Sequence, residues 1–64
     1  MCEANAYMVK DDTEELLLEA VDTVEPEGDA AWRLVSIFGE QKIVEGRIRG
    51  MNLVEHKIWF QPAA

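Results

Sequence analysis

Leu16-Leu17-Leu18-Glu19-Ala20-Val21-Asp22-Thr23-Val24-Glu25-Pro26-Glu27-Gly28-Asp29 decides the fold, because it reads in two ways. Leu17, Leu18, Val21 and Val24 fall at helical spacing, and Asp12 with Glu15 three residues on mimics a capping box. A helix of about one dozen residues would fit that pattern. Against it, Val21, Thr23 and Val24 are β-branched, and Pro26-Glu27-Gly28-Asp29 is a strong turn of the kind that joins two strands. The strand reading prevails, and with it an all-β chain.

Working outward, Cys2 to Val9 alternates Cys2, Ala4, Ala6 and Met8 with Glu3, Asn5 and Tyr7, the period of a half-buried strand. Lys10-Asp11-Asp12-Thr13 supplies turn chemistry, so Glu14 to Leu18 returns as the second arm of a hairpin. Ala31 to Ile37 puts Trp32, Leu34 and Ser36 on one face and Arg33, Val35 and Ile37 on the other, before the turn Phe38-Gly39-Glu40. Gln41 to Arg49 is a further strand, with Gly46 marking a bulge or sharp bend. Met51 to Val54 and Lys57 to Phe60 form a last hairpin around Glu55-His56, and Gln61-Pro62-Ala63-Ala64 is expected to fray. The expected architecture is one small domain over residues 1–60, an antiparallel barrel or sandwich of about six or seven short strands, with 61–64 as a tail.

A 64-residue chain has little core to spare, and its single cysteine cannot form an internal disulfide. A metal or a partner chain is the natural supplement, and a symmetric homodimer is the expected form. Thirteen acidic and six basic side chains give a formal charge of −7. Lys10, Arg33, Lys42, Arg47, Arg49 and Lys57 are dispersed, so no phosphate-neutralising patch is evident and nucleic acid is disfavoured as a general ligand. Anionic membrane surfaces are disfavoured on the same ground. Glu3 stands where a signal peptide carries positive charge, no apolar run follows, and Leu16-Leu17-Leu18 is far too short to span a bilayer. A cytoplasmic protein is expected, in a compartment where a free thiol persists.

No nucleophile pairs with the one histidine at a recognisable spacing, and no phosphate-binding glycine loop or carboxylate pair is readable, so an enzyme is not expected. The chemistry concentrates at Met1-Cys2. A terminal amine and a thiol, with ordinary pKa values of about 8 and about 8.5, lie within chelating reach of one metal ion. Nickel(II) and copper(II) favour such nitrogen and sulfur donors. The plainer reading is that Cys2 is a small, inert core residue, and position alone does not displace it. His56 reads as a solvated residue at a hairpin tip, between Glu55 and Lys57, whose removal leaves metal binding unchanged. Asp11, Asp12, Glu14 and Glu15 do not match a calcium loop and read as a solvated turn. Trp32 and Trp59 read as core or dimer packing before ligand contact.

Met1-Cys2-Glu3-Ala4-Asn5-Ala6-Tyr7, Val35-Ser36-Ile37-Phe38-Gly39-Glu40-Gln41 and Ile48 through Ile58, with Asn52-Leu53-Val54-Glu55-His56-Lys57, together resemble the CooT family. Its members are small accessory proteins linked to nickel delivery for carbon monoxide dehydrogenase, and some relatives carry a generic label as RNA-binding. The resemblance implies that Cys2 binds Ni(II) in a dimer, and it shifts the balance at Cys2 from inert thiol to metal ligand. The expected metal residues are Cys2 and, through its terminal amine, Met1, with about one nickel per dimer. The client is expected to be a nickel enzyme, carbon monoxide dehydrogenase first. The competing expectation is a small-barrel adaptor for protein or RNA in which Cys2 is structural.

Overall fold

The ambiguous stretch is a strand. The computed structural model describes residues 3–62, among which β1 (Ala4–Lys10), β2 (Thr13–Pro26), β3 (Ala31–Ser36), β4 (Gln41–Glu45), β5 (Arg47–Asn52) and β6 (Lys57–Gln61) form one six-stranded sheet. Its order is β4-β3-β2-β1-β6-β5. Every pairing is antiparallel except β1 with β6, which run parallel with Ala6 opposite Ile58 and Met8 opposite Phe60. Among the described residues, no helix is long and apolar enough to cross a membrane.

The helix-like spacing in β2 has a structural cause. The strand pairs with β1 and then with β3, and its register slips between Ala4 and Ala6, between Ala6 and Tyr7, and between Val21 and Thr23. Each bulge adds one residue to the two-residue period. Leu18, Val21 and Val24 therefore all meet the core although each lies three positions from the next. Ala20 takes the left-handed φ of 56° at one of these bulges, and its amide donates to Asn5 Oδ1 at 3.2 Å. A spacing of three thus arises without a helix.

The core is small and draws on five strands: Ala6, Val21, Leu34, Val44, Ile58 and Phe60. Phe60 and Leu34 are its largest fully buried side chains. Trp32, Leu34 and Ser36 share the inner face of β3, as their alternation implies. Ser36 is the one buried polar residue among those described, and its Oγ accepts from the amides of Phe38 and Glu40 at 3.1 and 3.2 Å, which closes the turn after β3.

The strands β4 and β5 are the two edges of the sheet, yet only Gly46 separates them in sequence. In a flat six-stranded sheet the edges would lie about 24 Å apart, so the sheet must curl until its edges meet at this corner. Gly46 has φ 140°, donates its amide to Ala30 O at 2.9 Å, and passes so near β6 that a Cβ would sit 2.2 Å from the carbonyl oxygen of Gln61. Only glycine fits. The expected all-β fold of about six strands is present, and because β4 and β5 do not pair with each other it takes the form of one mixed, curled sheet that is not closed into a barrel. Gln61, expected in the tail, is the last residue of β6 and pairs with Arg47.

Candidate metal centre

Met1 and Cys2, the metal residues that the family resemblance implies, lie outside the described residues. The described chain opens at Glu3, one peptide bond from Cys2, and the surroundings of that point define the candidate centre. The parallel pairing of β1 with β6 sets Asn5 opposite Lys57, which carries the start of β1 to the turn Leu53–His56 between β5 and β6. In that turn Asn52 Oδ1 accepts from the amide of Glu55 at 2.9 Å. Asparagine favours such side-chain closure of a turn.

The turn ends in His56, whose backbone is left-handed with φ 59°. Histidine tolerates that region better than most residues with a Cβ. Two atoms of His56 then hold the incoming strand. Its carbonyl accepts from the amide of Asn5 at 2.8 Å, and Nδ1 of its imidazole lies 3.1 Å from the carbonyl oxygen of Glu3. A small open hollow of about 130 Å³ is bounded by Glu3, Ala4, Leu53 and His56. Leu53 and Val54, at the crest of the turn, are 75% and 89% exposed. On its other side Asn5 accepts from Ala20 through Oδ1, so the first turn of chain is tied to both β2 and the β5–β6 turn.

His56 is an exposed turn residue, as the sequence reading has it, and it is also a neighbour of the N-terminal segment across 53 positions. No local signal announces that contact; it appears only once β1 and β6 are paired. Among the described residues, no group of three or more His, Cys, Asp or Glu side chains converges to hold a metal. A site here therefore needs donors from residues 1 and 2, from a second chain, or from both.

The other candidates stay apart from this corner. Asp11 and Asp12 sit in the β1–β2 turn with φ 51° and 66°, and they are solvent-exposed together with Glu14 and Glu15. Arg33 is engaged by Glu25, with Glu27 3.9 Å away. Lys57 Nζ lies over the Tyr7 ring, 5.7 Å from its centroid. Trp32 packs against the core, whereas Trp59 falls on the opposite face of the sheet, opposite Tyr7.

A family model described as CO dehydrogenase accessory protein CooT matches residues 1–61, a span that includes both the Met-Cys start and the His56 turn. The chain belongs to the CooT family. A crystal structure described as that of a CooT from Carboxydothermus hydrogenoformans is similar to it, with 39% sequence identity and a TM-score of 0.89. The likeness covers 95% of this chain and 97% of that one. No curated protein matches the chain. Membership in CooT sets it among accessory proteins of CO dehydrogenase and matches the all-β fold built above.

Proposed function

We propose that this CooT protein binds Ni(II) and holds or delivers it during maturation of a nickel enzyme, carbon monoxide dehydrogenase in the first place. The observation that carries the reading is the family match over residues 1–61, since it takes in Cys2 and names the client enzyme. Nickel is cargo here, so the site must grip and also release.

The donor chemistry suits that task. Thiolate sulfur with amine or amide nitrogen is a set that Ni(II) takes in square-planar geometry, and hard oxygen-seeking cations are poor competitors for it. One chain supplies one sulfur. Two copies related by a twofold axis supply two sulfurs and two nitrogens, which complete the plane, so we assign one nickel to a cytoplasmic homodimer with Cys2 of each copy as ligand and the amine of Met1 as a further donor. The exposed Leu53 and Val54 beside the hollow at Glu3 support a second copy at this corner, because association would remove their apolar surface from water. The chain then acts by coordination, not catalysis.

The test is a nickel titration followed by thiolate-to-metal absorption in the near ultraviolet. The band should saturate at one nickel per two chains and weaken as pH falls below neutrality, because the thiols must lose their protons to bind. No band in the wild-type protein would refute the reading and favour the adaptor alternative, in which Cys2 is structural.

A further inference from the structure

We propose that His56 is a positioning residue for the metal-binding N-terminus: its imidazole and its own carbonyl clamp Glu3 and Asn5, and so fix the point on the sheet from which the start of the chain departs. The inference rests on the nickel reading above and adds a residue that coordinates nothing itself. The geometry is a two-point hold by one residue, Asn5 N–H to His56 O at 2.8 Å and His56 Nδ1 with Glu3 O at 3.1 Å.

The chemistry of the second contact defines the imidazole. A carbonyl oxygen only accepts, so Nδ1 must carry the proton, and in the neutral ring Nε2 is then the bare nitrogen. Fixing the Glu3 carbonyl fixes the peptide plane between Glu3 and Ala4. The anchor of the metal-binding segment is then set before metal arrives, and ordering done in advance is affinity gained on binding. The left-handed φ of 59° is part of the device, since it turns both the carbonyl and the ring of one residue toward the same strand.

This reverses the sequence expectation that removing the His56 side chain leaves nickel binding unchanged. Two variants separate positioning from coordination. His56→Gly keeps the left-handed backbone without strain and deletes only the side-chain hold. His56→Asn tolerates the same φ and presents an amide N–H where Nδ1 stood, but offers no imidazole to a metal.

Nickel titration of the full chain should show His56→Gly about five- to tenfold weaker than wild type, the worth of one net hydrogen bond. His56→Asn should recover most of that loss, with unchanged circular dichroism in both. In the metal-free wild type, nitrogen NMR should find the proton of the neutral His56 ring on Nδ1. Wild-type affinity in His56→Gly, equal loss in both variants, or a ring protonated on Nε2 would each overturn the proposal, the second by making the imidazole a direct ligand. A wild type that takes no nickel defeats the proposed function and the positioning role with it, while an Nδ1–H ring in the same sample leaves the clamp itself standing, so the two failures are told apart.

Discussion

Two turns of this sheet use non-glycine residues in the left-handed region, and they do different work. The β1–β2 turn, with Asp11 and Asp12 at φ 51° and 66°, closes on itself: Thr13 Oγ1 donates to Lys10 O at 2.6 Å, three residues back. The β5–β6 turn, with His56 at 59°, reaches 53 residues back to Glu3. The first is acidic, exposed and self-contained. The second joins the beginning of the chain to its last strand and brings a borderline nitrogen base beside the peptide bond that leads to the only cysteine. Turn conformation alone therefore says little about function; what the turn touches says more.

That contrast can be broken most decisively through metal uptake. Cys2→Ser should weaken nickel binding roughly a hundredfold or more, because a hydroxyl does not replace a thiolate for Ni(II). Asp11→Asn with Asp12→Asn, at the other end of β1, should leave the titration curve where it was. Equal losses in the two proteins would erase the functional difference between the turns.

Stability sharpens the same contrast between distant and local contacts. Gly46→Ala drives a Cβ into the Gln61 carbonyl at φ 140°, and a chemical denaturation curve should record a loss of about 3 kcal/mol or more. Gly39→Ala, where φ is 88° but nothing lies within 4 Å, should lose about 1 kcal/mol. Asn5→Ala strips the Ala20 amide of its part-buried acceptor and should cost about 1–2 kcal/mol in the same assay. Thr13→Ala removes an exposed local bond, and its thermal midpoint should shift by the equivalent of about 0.5 kcal/mol. The smallest effect has the opposite sign: Asp12→Gly relieves a left-handed aspartate and should raise stability by a few tenths, ~0.3 kcal/mol.

What could be read from sequence follows the range of the forces involved. The strands announce themselves because alternation and turn residues are local: Trp32, Leu34 and Ser36 do share the inner face, and Glu27-Gly28-Asp29 does lie in the turn between β2 and β3, although Pro26 itself ends β2 and pairs with Trp32. The spacing of Leu18, Val21 and Val24 misleads because a bulged strand and a helix both place one side chain in three on a face. The parallel pairing of β1 with β6 carries no local mark, and what depends on it lies out of reach of the sequence, including the hold of His56 on Glu3. Gly46 was legible as a bend, but not as the single residue that joins the two edges of the sheet. Cys2 was singled out by its chemistry and by family resemblance, not by any pattern of burial.

The most direct test is the intact mass of the native protein with nickel under gentle ionisation, wild type beside Cys2→Ser. The wild type should fly as a dimer carrying one nickel, and the serine variant should carry none. One nickel on each chain, or nickel retained by the serine variant, would contradict a site shared through Cys2.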